Sequence, residues 1–272
     1  MKTLFITDLD GTLLKSDKTV SKEAAEIINR LIDEGMAFSY ATARSIYSSS
    51  VLTGNVDFSM PVITKNGAII QNSDWSILKE NAFTKEEAAE IYGILRKYGL
   101  DPIVASFQNG LEKYSFDCTR IGVGTQSFLD DHVGDVRENP VEGEKHILDG
   151  SVHYFTCIGT EEELSGAYEE VKKKYRSLCA KDTYSDEIWL EVMPQLATKA
   201  AAILQLKQLL GFDKVVAFGD AVNDIPMFEI ADECYAMENA VPELKAIATG
   251  VIGNNNEDGV AKWLEENYRR YV

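Results

Sequence analysis

The sequence predicts an α/β protein: a Rossmann-like parallel-sheet core drawn from both ends of the chain, with an α+β domain inserted between its halves. Three observations predict it. Short apolar strands alternate with amphipathic helices near the N-terminus and again from Thr198 onward, the rhythm of βαβ units. In the middle of the chain, strands pair through turns and only two helices interrupt them, as in α+β units. Polar residues follow several of the apolar runs, at the strand ends where open parallel sheets bind ligands. The expected division is a core of residues 1–82 plus 190–272 and an insert of residues 83–189, in keeping with about two domains for a chain of this length.

The elements follow in order. Thr3–Thr7 is a short apolar strand with β-branched residues, ending at Asp8 and Asp10. Ser21 is a candidate N-cap for "KEAAEIINRLID", where Ile27, Ile28, Leu31 and Ile32 recur at helical spacing, and Gly35 is a candidate stop. "MAFSYATAR" predicts a second strand with a polar end. "PVITKNGAII" predicts a strand–turn–strand around Asn66-Gly67, a favoured hairpin pair. In the insert, Thr84 opens a helix that runs to Gly99, and "DPIVASF" and "LEKYSFD" read as strands on either side of Gln108-Asn109-Gly110. Residues 119–150 read as polar and irregular. "VHYFTCIG" is a strand, Thr160 caps a helix, and "EIWLEVMP" is a further strand. After Thr198 come an amphipathic helix, the strand "KVVAFGD", a short helix "DIPMFEIAD", the strand "CYAM" and two last helices, "VPELKAIATG" and "GVAKWLEENY".

Composition narrows the function classes. Of 272 residues, 45% are hydrophobic and 26% charged, an ordinary globular balance. The net charge of −17 argues against a nucleic-acid partner, which needs basic stripes. The four cysteines show no CxxC spacing, so no zinc site is expected and free thiols in a reducing compartment are. No apolar run approaches a membrane span and no secretory leader is recognisable; the expected location is cytoplasmic. Oligomeric state is not legible.

The strand ends carry the chemistry. The first gives Asp8 and Asp10, the second Thr42, Ala43 and Arg44, the segment entering the late helix Lys199, and "GDAVND" Asp220, Asn223 and Asp224. Singly, such residues are often turn formers, helix caps or solvated charges. Together and in this order they suit a hard divalent cation held by oxygens and an oxyanion held by a lysine and small donors. In an extended segment residues two apart face the same side, so Asp8 and Asp10 can address one ligand. Like charges so close disfavour each other unless a cation or proton lies between them.

"DLDGTLL", "ATAR", Lys199 and "GDAVNDIPMF" resemble the four motifs of the haloacid-dehalogenase superfamily, most nearly its Cof-like phosphatases. "KNGA", "AMENAVPELKAIA" and "NNNEDGVAKWL" add to the likeness, which in the middle region is one of position rather than motif. The resemblance implies a phosphatase acting on small phosphorylated metabolites such as sugar phosphates. It implies Asp8 as nucleophile forming an aspartyl phosphate, Asp10 as general acid and base, and Mg²⁺ held by the Asp8 and Asp220 carboxylates and the Asp10 carbonyl. Thr42, Lys199, Asn223 and the N–H groups near Leu9 and Ala43 would hold the phosphoryl oxygens. Asp224 would sit beside the metal or orient Lys199. The insert would be a cap that closes over the site and excludes water. The family usually has Gly where this chain has Ala43 and Ala200, which would tighten the phosphate pocket slightly. In the insert, Tyr114, Phe116, Tyr154 and Trp189 read as core, His132, His146 and His153 as structural or solvated, and Lys172–Lys174 as a solvated helix face. A phosphomutase, or a metabolite-binding protein without catalysis, is the alternative on the same fold.

Overall fold

A computed structural model describes residues 1–181 and 187–272. The chain first lays down β1 (Thr3–Thr7), α1 (Lys22–Asp33), β2 (Ala37–Tyr40), α2 (Ile46–Leu52) and β3 (Val62–Thr64). A 3-10 turn, Lys65–Gly67, leads into β4 (Ile69–Gln71) and β5 (Ile77–Glu80). The inserted part comprises α3 (Lys85–Lys97), β6 (Ile103–Gln108), β7 (Leu111–Asp117), α4 (Val123–Asp131), β8 (Glu138–Val141), β9 (Ser151–Gly159), α5 (Glu161–Val171), β10 (Arg176–Lys181) and β11 (Ile188–Met193). The chain then returns through α6 (Lys199–Leu210), β12 (Lys214–Gly219), α7 (Ile225–Ile230), β13 (Glu233–Met237), α8 (Pro242–Ile247), β14 (Gly250–Ile252) and α9 (Gly259–Asn267).

Two units result, Met1–Glu80 with Leu196–Val272, and Asn81–Gln195. In the first, five parallel strands lie in the order β14-β13-β12-β1-β2. Strands of a parallel sheet are covered on both faces and so read as unbroken apolar runs; Leu4, Phe5, Ile6, Val215, Val216, Ala217 and Phe218 are all buried. The helices are placed by their caps. Ser21 Oγ accepts from Ala24 N and opens α1, whose Ala24, Ala25, Ile27, Ile28 and Leu31 form the buried stripe. Thr198 Oγ1 accepts from Ala201 N at the start of α6, and Gly211, at φ 68°, ends it. The chain leaves β1 towards β2 on one side, while β12 pairs with β1 on the other. This is the point where strand order reverses, and there such sheets bind ligands. Asp8 N still donates to Phe218 O (2.9 Å), so the ends of β1 and β12 arrive side by side.

The second unit is α+β. Its six strands run β10-β11-β9-β6-β7-β8, antiparallel except for β7 with β8. Its main core joins α3 and α5 to one sheet face through Ile91, Leu95, Val104, Phe155, Leu164 and Leu190. Tyr114 and Phe116 are buried, as expected, and pack with Phe128 and Leu129 of α4. The stretch 119–150, expected to be irregular, instead contains α4 and β8. Residues 190–193, expected on the core side of the boundary, belong to β11, which is hydrogen-bonded between β9 and β10. The expected Asn66-Gly67 turn joins β3 to β4 as antiparallel neighbours, and β5 extends them to a three-stranded sheet.

Candidate active site

Every candidate site residue falls in the unit Met1–Glu80 with Leu196–Val272. Its centre is an ion cluster. Lys199, the first residue of α6, is 3% exposed. Its Nζ donates to Asp8 Oδ1 (2.5 Å) and to Asp224 Oδ1 (2.7 Å), and both aspartates are buried. Burial works against the ammonium's charge, but Asp8 and Asp224 outweigh it and hold the pKa above the ordinary lysine value. Burial and then Asp224 push the Asp8 carboxyl well above the usual carboxylate range, against the Lys199 ammonium and the Leu9 N–H. The Leu9 N–H, expected on phosphate, thus addresses the Asp8 carboxylate.

Asp224 is held from both sides. Its Oδ2 accepts from Asp220 N (3.0 Å) and Ala221 N (3.1 Å), while Oδ1 takes Lys199. That geometry lets Asp224 fold the "GDAVND" loop and orient the lysine. Asp220 is set by Thr12, whose Oγ1 donates to Asp220 Oδ1 (3.0 Å). Burial pushes the Asp220 carboxyl up to about 6, against the Thr12 hydrogen bond and with the Asp224 charge adding to the rise. Asp220 lies against Gly11, at φ 72°, where any Cβ would overlap its carboxylate. The glycine of "DGT" is favoured by its backbone conformation, and a Cβ there would push the Asp220 carboxylate aside.

Asp10 stands apart from this cluster, half exposed, and Arg44 grips it in a two-point ion pair: Nε to Oδ2 at 2.7 Å and Nη2 to Oδ1 at 2.6 Å. Thr42 is buried. Its Oγ1 accepts from Arg44 N (3.1 Å), which leaves the hydroxyl proton to donate. Ala43 is exposed and its φ is not positive, so the extra methyl introduces no backbone strain. Asn223 is exposed on the 3-10 turn Val222–Asp224. Thr12 and the Arg44 grip were not foreseen from the sequence. Both lie inside the motifs "DGT" and "ATAR", but their partners, Asp220 and Asp10, are found only across the sheet.

Asp8, Asp220 and Asp224 each bring a carboxylate oxygen within 4.8 Å of the others. Three carboxylates face one ammonium, and all the donors are hard oxygens. The surplus negative charge and the raised carboxyls fit a hard divalent cation. Both oxygens of Asp224 are engaged, one by Lys199 and the other by the N–H groups of Asp220 and Ala221.

A family model described as haloacid dehalogenase-like hydrolase matches residues 5–264. Two 5-amino-6-(5-phospho-D-ribitylamino)uracil phosphatases of Bacillus subtilis (strain 168) are each 27% identical to the chain. One aligns over 95% of this chain and 96% of its own length, the other over 97% of each. Among solved structures, TM0651 from Thermotoga maritima superposes with a TM-score of 0.79 at 24% identity, covering 98% of this chain and 97% of that one. A haloacid dehalogenase-like hydrolase from Bacteroides thetaiotaomicron superposes with a TM-score of 0.75 at 24% identity, covering 98% and 99%. These likenesses support the same fold.

Proposed function

We infer the reaction from one premise: the chain belongs to the haloacid dehalogenase-like hydrolases and is a phosphatase. On that premise we propose a Mg²⁺-dependent hydrolysis of small phosphorylated metabolites through an aspartyl phosphate. The observation that carries it is the buried Asp8 carboxylate, paired with Lys199 at 2.5 Å and gathered with Asp220 and Asp224 where β1 and β12 end side by side.

In this reading a carboxylate oxygen of Asp8 attacks phosphorus as the bond to the leaving oxygen breaks, and Asp10 gives that oxygen its proton. Asp10, now a carboxylate, takes a proton from a water whose oxygen attacks the same phosphorus. The bond from phosphorus to Asp8 breaks, inorganic phosphate leaves and Asp8 is regenerated. Thr42 and Lys199 hold the phosphoryl oxygens throughout, with the N–H of Ala43 and the side chain of Asn223. Asp8, Asp220 and the Asp10 carbonyl would hold Mg²⁺, with Asp224 beside it, and the ion supplies charge neutralisation between carboxylate and phosphate. Lys199 must turn part of its charge from Asp8 to the substrate, and Asp224 keeps it in place as it does so.

The names of the two Bacillus subtilis relatives, which put the phosphate on a ribityl chain, support a reading of the substrate class. We take a phosphomonoester on a small polyhydroxylated chain, sugar phosphates included, as the substrate of this chain. The same reading assigns the protein to the cytoplasm; its free cysteines, Cys118, Cys157, Cys179 and Cys234, suit a reducing compartment. The test is phosphate release from a panel of sugar and polyol phosphates with Mg²⁺. Activity is expected in the wild type and not in Asp8→Ala; undiminished turnover by Asp8→Ala would refute the mechanism.

A further inference from the structure

Three successive residues of the β3–β4 turn lie in the left-handed region: Lys65 at φ 50°, Asn66 at φ 54° and Gly67 at φ 98°. Asparagine and glycine tolerate this region, but lysine gains nothing local from it. Such backbone persists where the surroundings over-determine it. Here the surroundings are two segments that carry site residues. Lys65 N donates to Arg44 O (3.0 Å) and Asn66 N to Thr42 O (2.9 Å). Gly67 lies so close to Thr198 that a Cβ would overlap the Thr198 carbonyl. Thr198 caps α6, and the next residue is Lys199. The turn therefore touches, through its backbone, the loop that presents Thr42 and the helix start that presents Lys199. The Asn66 side-chain oxygen is buried without a hydrogen-bond partner, so that atom is not what holds the turn.

We propose that the Lys65–Gly67 turn is a positioning latch: its strained backbone fixes the Thr42 loop against the start of α6, so that the hydroxyl and the ammonium are preset at one spacing. The proposal rests on the reading of Thr42 and Lys199 as phosphoryl-oxygen donors. Two groups on different elements hold one anion best when their separation is fixed before it arrives, and within three residues the turn reaches both segments. Asn66 and Gly67 act through Thr42 and Lys199, without contact to substrate.

The test uses the full chain with Mg²⁺ and p-nitrophenyl phosphate, with inorganic phosphate as competing inhibitor. Gly67→Ala is expected to weaken phosphate inhibition roughly tenfold and to raise KM with it. The control is Gly35→Ala. Gly35 has a similar φ of 103° but open space around it, so it carries the same kind of backbone strain and no latch; its constants are expected to stay at the wild-type values. Asn66→Ala, which lacks asparagine's tolerance of the left-handed region, is expected to weaken phosphate inhibition about three- to tenfold. Asn66→Gly is expected to recover most of that loss. Gly67→Ala behaving like Gly35→Ala overturns the latch, and so does Asn66→Gly behaving no better than Asn66→Ala. If Gly67→Ala does not fold, the two Asn66 variants decide. Thr42→Val tests the reading beneath: unchanged phosphate inhibition there removes the phosphate role itself, whereas weakened inhibition there with inert turn variants removes only the latch.

Discussion

Arg44 grips Asp10 at two points, 2.7 Å and 2.6 Å, while its third nitrogen donates to Ser48 Oγ at 3.0 Å. Both Asp10 oxygens are thereby aimed, and a proton-transferring Asp10 must release one of them. A lysine here would be a point charge without the planar fork. Arg44→Lys is expected to lower kcat about 10–100-fold, part of the ~10²–10⁴ that acid–base help supplies. Stability should hardly change: the Asp10 side chain is 47% exposed, and exposed pairs contribute only ~0–1 kcal/mol. Kinetics beside thermal unfolding checks this, and a lowered melting point with full kcat would contradict it.

Lys199 is the sole cation paired with Asp8 and Asp224 among the described residues. Removing it leaves two buried carboxylates against each other. Breaking a buried pair from one side costs about 3–5 kcal/mol, and urea unfolding of Lys199→Ala in chelator should show a loss of that order. Removing both signs should behave differently. Lys199→Met with Asp224→Asn is expected to regain part of the stability, because neighbours in one network are not additive, yet to stay inactive. A double variant no more stable than Lys199→Ala would argue against the charge explanation.

The Asp220 carboxyl, raised to about 6 mainly by burial, makes the site sensitive to pH. Without metal, the folded state keeps a proton that the unfolded chain releases near 3.8. This contribution to stability is full below that value and is lost as pH rises through about 6. Metal binding runs the other way, since the carboxylate must be bare. The rise in unfolding temperature on adding Mg²⁺ should therefore be small near pH ~5, grow as Asp220 ionises through about 6 and grow further as the raised Asp8 carboxyl also loses its proton. Asp220→Asn should abolish the Mg²⁺ response. A response equally large across that range would contradict the assignment.

The chemistry was legible where the fold made it local. β1 and β12 are apolar runs because both faces are covered, and Asp8 and Asp220 follow directly from where those runs stop. Asn66-Gly67 marked a turn, but the N–H groups of Lys65 and Asn66 go to the carbonyls of Arg44 and Thr42, and no local pattern encodes that destination. The short and edge elements were hidden for a similar reason. The N-cap of α4, Gly122, makes no side-chain cap bond, and Val123 is exposed, so no cap or apolar stripe announces the helix. β8 carries Pro140 on an edge, where a missing N–H is tolerated. β10 is also an edge strand, with Leu178 half exposed, which blurs the alternation a strand is read by.

The last prediction concerns the inserted unit, where Asp117 holds the stretch that looked irregular. Its Oδ1 accepts from Thr119 N (3.0 Å), Thr119 Oγ1 (2.6 Å) and Gly143 N (3.0 Å), and Oδ2 from Arg120 Nε (3.0 Å). Burial raises this carboxyl's pKa, but the hydrogen bonds from Thr119, Gly143 and Arg120 outweigh it and bring it down to about 2. A depressed folded value means stability that is present above the unfolded value of 3.8 and lost as pH falls through about 2. The side chain is only 1% exposed, yet Arg120 is 40% exposed, so solvent screening trims the contribution to about 1–2 kcal/mol. Asp117→Asn keeps the size and loses the charge. It should cost about that amount in urea unfolding of the full chain at neutral pH and flatten the loss of stability between pH ~4 and ~2. Wild-type stability together with an unchanged acid limb would show that the Asp117 carboxylate does not anchor residues 119–143.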